Sequence, residues 1–371
     1  MISTKKKIAI STLISSFLII FLIITSLLIA INKSRESFWF YDPGNNVYSV
    51  AISSDGSYFT AGTETSIYFF SKSSRTPLWE YITNSIVYSV EISSDGSYIA
   101  AVDSNNVYLF SKSSNIPLWN YTTNRTMWGL AISSNGLYIV TGGGYNVYLF
   151  SKSNSTPLWN YVSPNLIRRV AISSDGSYIA AVDNNNVYLF SKSSNIPLWN
   201  YTTNRTMWGL AISSNGMYIA VGDFNNTVYL FNRTSSIPMW YKKFNSYRFI
   251  QSVAISSDGS YIAVGSTDNN LYLFEKNSST PLWNYTTEWK FNLVAISFDG
   301  SYIVGSSSVI WGSSDFSPPP PPEGKVYLFT NNSSEPIWSH NIGQYINSVA
   351  ISTDGTHIIV GSDDGKVYLF F

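Results

Sequence analysis

A chain of 371 residues with 22 Lys plus Arg against 22 Asp plus Glu carries no net field that would draw it to nucleic acid, and no nucleic-acid partner is expected. It has no cysteine, which excludes disulfides, thiol chemistry and cysteine-based metal sites. Only 12% of its residues are charged while 16% are aromatic, a mixture that suits many half-buried strands.

The chain opens on a segment unlike the rest. Lys5, Lys6 and Lys7 precede an uncharged run from Ile8 to Ile31. As a helix that run spans about 36 Å, enough to cross a hydrocarbon core of about 30 Å. The pattern predicts a short basic cytoplasmic segment at 1–7, a transmembrane helix at 8–31 and a linker at 32–37. A cleaved signal peptide would have a shorter apolar core and small residues before the cut, where this chain has Leu28. Three lysines lie before the helix; Lys33 and Arg35 follow it, partly offset by Glu36. The positive-inside tendency then places the remainder outside the cytoplasm, on a single-pass membrane protein.

From residue 38 to 371 one unit recurs eight times. Its mark is an Asp-Gly or Asn-Gly turn at Asp55, Asp95, Asn135, Asp175, Asn215, Asp258, Asp299 and Asp354, most of them 40 residues apart. A period near 40 signals propeller blades or helical arrays, and the pattern within the unit decides between them. VYSVAISSDGSYFTAG reads as two short strands joined by a hairpin turn. A third strand follows at Ile67–Phe70 and Val107–Phe110, and a fourth at Pro117–Tyr121. Four strands in about 40 residues make one blade. The expected fold is all-β: an eight-bladed β-propeller of four-stranded blades. The last unit stops after its third strand, so Phe38–Tyr41 is expected to supply its fourth and close the ring. One long insertion, 306–324, carries Trp311, Phe316 and the run Pro318–Pro322. Residues 92–139 and 172–219 differ only at Ser104/Asn184 and Leu137/Met217, which reads as a duplication of two blades.

VYLFSKSSNIPLWNY, from third to fourth strand, resembles the PQQ-like (quinoprotein-type) repeat, and VAISSDGSYIAAV resembles the WD repeat. The resemblance implies tryptophans that dock neighbouring blades. The third strand ends in Leu-Phe and not Trp-Asp, no Gly-His dipeptide opens the units, and the adjacent cysteine pair of catalytic quinoproteins is missing. The family's fold carries over; its redox chemistry does not, and no cofactor is expected.

No nucleophile–base pair, phosphate loop or metal spacing is visible. His340 and His357 each replace a repeated tyrosine, so structural roles are expected. The turn aspartates interchange with asparagine, which fits turn chemistry and not proton transfer. Asp103-Ser-Asn-Asn and its copies could gather oxygens for calcium, but Asn-rich hairpin turns explain them as well.

The functional signal is one variable column. Seven residues before each turn stand Tyr48, Tyr88, Trp128, Arg168, Trp208, Gln251, Asn292 and Asn347, and Arg169 breaks the largely Ser/Gly column beside it. These positions fall at the start of the innermost strand, where a central channel opens. Trp, Tyr and Arg are the residues enriched at binding hot spots. With Trp311 and Phe316 of the insertion they form the expected partner-binding set, for a protein or carbohydrate ligand on the top face. The expected function is a membrane-anchored extracytoplasmic binding or scaffold module. The rival readings are a quinone-dependent or glycan-active propeller enzyme and a structural component of a surface layer or envelope assembly complex.

Overall fold

The turn chemistry generates each blade. Gly56 sits at φ 69°, in the left-handed region where glycine alone is unstrained. Asp55 Oδ1 accepts the Ser57 amide at 2.9 Å and the Ser53 hydroxyl at 2.8 Å. Asn135 Oδ1 accepts the Leu137 amide and Ser133 hydroxyl in the same way, so either side chain serves. Burial alone would raise the Asp55 pKa, but the bonds from Ser57 and Ser53 hold it down at about 2. The turn glycine has a second reason to lack a side chain. A Cβ on Gly96 would stand 2.7 Å from Tyr58, and one on Gly136 2.5 Å from Tyr98. The repeated tyrosine thus packs on the turn of the following blade. His357 takes the same place against Gly56. His340 packs on Phe38 and Phe370, with ring centroids 4.6 and 5.2 Å away.

The computed structural model describes residues 38–245, 248–309 and 323–371. They form eight four-stranded antiparallel sheets arranged as blades, as the repeat implies. Blade one is Val47–Ile52, Tyr58–Thr63, Ser66–Ser71 and Trp79–Ile82, with each strand paired to the next in sequence. Blades two to seven repeat this order. The eighth sheet joins Ile346–Ile351, Ile358–Ser362 and Val367–Phe370 to Phe38–Tyr41, with Trp39 opposite Leu369. Most fourth strands begin at the tryptophan, as in Trp119–Thr122, where Leu118 turns outward, 51% exposed; that of the fifth blade is longer, Pro238–Lys243. The transmembrane helix expected at 8–31 and most of the proline insertion, including Trp311 and Phe316, lie outside the described residues. Among the described residues no helix is long and apolar enough to cross a membrane.

The core is a ring of apolar layers between blades. Phe59, Phe69, Phe110, Phe150, Phe190, Phe231, Phe274 and Phe329 are fully buried there. At the outside, fourth-strand tryptophans bond across six of the eight seams. Trp79, Trp119, Trp159, Trp199, Trp240 and Trp283 donate Nε1–H to the carbonyls of Lys112, Lys152, Lys192, Arg233, Lys276 and Asn331 of the next blade, at 2.7–3.1 Å. At the inner rim runs a belt of backbone bonds. Ser54 N donates to Ser94 O, Ser94 to Ser134, Ser134 to Ser174, Ser174 to Ser214, Ser214 to Ser257, Ser257 to Phe298, Phe298 to Thr353, and Thr353 back to Ser54 O. The belt closes on itself, which fixes the blade number at eight.

Candidate functional site at the channel mouth

The first strand of every blade lines the central channel, and its start is irregular in a repeated way. Pairing with the second strand slips at Tyr48, Trp208, Gln251, Asn292 and Asn347, each flanked by a register shift. In these five blades the variable position is therefore a β-bulge, whereas Tyr88, Trp128 and Arg168 stand immediately before the first strand of theirs. A bulge inserts one extra residue and re-aims its side chain. The residue before the variable position stays anchored: Val47, Val87, Met127, Ile167, Met207, Ile250, Phe291 and Ile346 are all fully buried. A bulge, or a place just ahead of the strand, leaves the residue free of the ladder's alternation, so side-chain identity there can change without disturbing the blade.

The structure does not gather all the expected residues at one place. Tyr88, Trp128, Arg168, Arg169 and Trp208 share a cavity of about 300 Å³ at the mouth. Tyr48, Tyr88, Trp128, Arg169 and Asn347 line the adjoining channel cavity of about 440 Å³. Gln251 and Asn292 line neither cavity. Asn292 is wholly buried, and Asn347 donates to Asp363 Oδ1 at 2.6 Å and to Val47 O at 3.0 Å. The mouth is thus a half-ring on blades two to five, not a complete one.

Within that half-ring Arg168 is held on three sides. Its guanidinium carbon lies 5.8 Å from the Trp128 ring and 5.7 Å from the Trp208 ring. Its Nε donates to Asn184 Oδ1 at 2.9 Å. Arg169 lies 5.8 Å from the Trp208 ring and donates to the Arg168 carbonyl. The enclosing channel wall first, and the Arg168 charge second, lower the Arg169 pKa, although its side chain is open to the channel. The aromatic surface continues outward through Phe224, 52% exposed, which stacks on Phe249 at 4.5 Å. The Trp208 Nε1 is buried with no partner.

Below the mouth the channel holds a residue that the sequence reading missed. Glu91 lines the cavity where the equivalent residues are Ala51, Ala131, Ala171, Ala211, Ala254, Ala295 and Ala350. Its side chain is half-buried in the channel wall and opens on that cavity. That burial pushes its pKa from 4.5 up to about 8. The signal was present as one Glu in a column of alanines, four residues before the turns.

The other acidic candidates are structural. Asp183 Oδ1 accepts the amides of Asn185 and Asn186, and Tyr188 donates its hydroxyl to Oδ2 at 2.9 Å. Asp103 is held identically with Tyr108. The hairpin carboxylates are filled by these bonds, and no cluster of three His, Asp or Glu among the described residues could hold a metal. On the opposite face, Lys112, Lys152, Lys192, Arg233 and Lys276 lie over the tyrosine rings of the preceding blade at 4.2–5.2 Å.

The family model described as outer membrane protein assembly factor BamB, a PQQ-type repeat model, matches residues 29–285. The model described as WD domain, G-beta repeat, matches residues 335–370. No curated protein sequence matches the chain. Among solved structures, Saccharomyces cerevisiae Sqt1 superposes with a TM-score of 0.74 at 14% identity, over 89% of this chain and 97% of that one. The computationally designed Ika8 protein gives 0.73 at 10% identity with the same coverage. At such identities these two likenesses speak for the fold alone.

Proposed function

The chain belongs to the PQQ-type propeller family described as outer membrane protein assembly factor BamB, and from that premise we propose a binding module and not an enzyme. In this reading residues 8–31 anchor it in a membrane, the propeller of residues 38–371 lies outside the cytoplasm, and the channel mouth docks a partner macromolecule. The observation that carries the reading is the Trp128–Arg168–Trp208 arrangement beside an open cavity. Rigid aromatic faces and a fixed guanidinium supply docking energy with little loss of side-chain freedom. A family described by an assembly factor agrees with such a role. The quinone chemistry of related propellers does not fit these residues: there is no cysteine, and Glu91 stands alone in the channel without the companion ligands a calcium–quinone pair needs.

The geometry of attachment follows from the strand directions. Phe38 starts its strand on the face that carries the Asp-Gly turns, here the bottom. Residues 32–37 reach at most about 20 Å, so the bottom faces the bilayer and the mouth faces away. A photo-crosslinking amino acid at position 128 of the full chain in its native membrane should form adducts. The same probe at Ile116, 74% exposed on the rim, should not. Equal labelling at both sites, or none at 128, defeats the reading.

A further inference from the structure

We propose that the mouth recognises a carboxylate on a protein segment, an Asp or Glu flanked by an apolar side chain. This rests on the binding role just assigned to the mouth.

The first argument is the donor inventory. The 300 Å³ cavity is lined by Tyr88, Trp128, Arg168, Arg169 and Trp208. Arginine and tryptophan side chains only donate hydrogen bonds, and only the Tyr88 hydroxyl can also accept. A neutral sugar, whose hydroxyls need acceptors as well as donors, would leave its own donors unmet. A carboxylate brings acceptors alone and suits the planar fork of a guanidinium. The Arg168 Nε is taken by Asn184, which leaves the terminal nitrogens for a ligand.

The second argument is charge. The upper loops of blades two to five carry Arg125, Arg168, Arg169 and Arg205. The carboxylates in those loops are Asp103, Asp183 and Asp223, each at most 1% exposed. None of these four arginines pairs with a carboxylate among the described residues. Arg168 and Arg169 therefore line the mouth without an acidic partner of their own, with Arg125 and Arg205 in the neighbouring loops.

The third argument is the surroundings. Phe224 and Phe249 extend the apolar surface beyond Trp208. A hydroxyl-rich acidic glycan gains little from that surface. A peptide with an apolar residue beside its carboxylate gains from both halves. The duplication history agrees: Trp128 and Trp208 are copies of one residue, and Arg168 lies between them on the intervening blade. Of the two positions at which the copied segments differ, one is Asn184, which holds Arg168; its counterpart Ser104 accepts a bond from Ser85 instead.

The test uses the full chain in detergent and fluorescent dodecapeptides with one Asp or Glu beside Leu or Phe, matched peptides with Asn or Gln, and tetragalacturonate as the acidic glycan. Carboxylate peptides should bind, and their amide counterparts should bind about tenfold weaker or worse. Arg168→Gln should lose a similar factor and Arg168→Lys should restore only part of it. Asn184→Ser, already tolerated in the copied blade, should weaken binding while leaving the melting temperature unchanged. Added salt should weaken every carboxylate-dependent interaction. Amide peptides that bind equally, an absence of peptide binding, or binding of tetragalacturonate alone each overturn the proposal. If adducts still form at position 128, only the ligand assignment has failed; if they do not, the docking reading has failed with it.

Discussion

Replacing Glu91 by alanine, the residue at the same height in the seven other blades, should stabilise the propeller in alkali and not in acid. In the folded chain its carboxyl pKa stands at about 8 against an ordinary 4.5. A group whose folded pKa is raised contributes stability that is fully present below the unfolded value and is lost as pH climbs through the folded one. The loss therefore falls between pH 4.5 and about 8. At about 1.4 kcal/mol per unit the ceiling is about 5 kcal/mol. Water entering along the channel screens part of this, so about 1–3 kcal/mol is expected. Thermal melts of wild type, Glu91→Ala and Glu91→Gln at about pH 5, 7 and 9 measure it. Arg169, Tyr48 and Tyr88, the other ionisable groups of the channel lining, remain in every variant, so their titration cancels in the difference. The gap should be near zero at the lowest pH and open steadily above it. A gap of constant size across the three conditions refutes the reasoning.

Trp39 is 7% exposed and packs on Phe59 at 5.6 Å; Trp39→Ala should cost about 3–5 kcal/mol in denaturant melts, and a change below about 1 kcal/mol would mean that its strand adds little to the eighth blade. Tyr145, 41% exposed in an upper hairpin, and Ser113, exposed in a lower loop, report orientation. On whole cells a bulky maleimide should label Tyr145→Cys faster than Ser113→Cys, and the reverse order means that the bottom does not face the bilayer.

What was legible in the sequence was whatever repeats. Asp-Gly turns, alternating strands and the terminal strand each appear as fixed offsets, and the blades follow from them. The mouth was legible for the opposite reason: residues that vary inside a repeat are released from structural duty, which singled out Tyr88, Trp128, Arg168 and Trp208. What releases them was hidden: a bulge at Trp208, and at Tyr88, Trp128 and Arg168 a place just ahead of the first strand, neither of which alters the spacing. The failure at Gln251 and Asn292 has the same root. Equal offset in sequence does not give equal exposure when each bulge turns its residue by its own angle, and Asn292 turned inward. Glu91 escaped because attention to the most variable column passed over a nearly invariant one whose single exception carries a charge.

The circular belt also shapes how the molecule assembles. Six of its eight links join segments about 40 residues apart, a seventh from Phe298 to Thr353 spans the insertion, and all seven can form as each blade appears. The last link, from Thr353 to Ser54, and the nearby bond from Val50 N to Ser348 Oγ, 298 residues apart, must wait for the whole chain. For a flexible chain, closing a loop of that length costs about 5 kcal/mol of entropy. The duplicated segments 92–139 and 172–219 add a hazard on this route. A chain that docks one copy in place of the other makes seam contacts that are locally correct, yet it strands two blades outside a smaller circle. Such a circle changes the angle between every pair of neighbours and breaks all the links of the belt together, so the misassembled ring is a trap that opens again instead of a second native state.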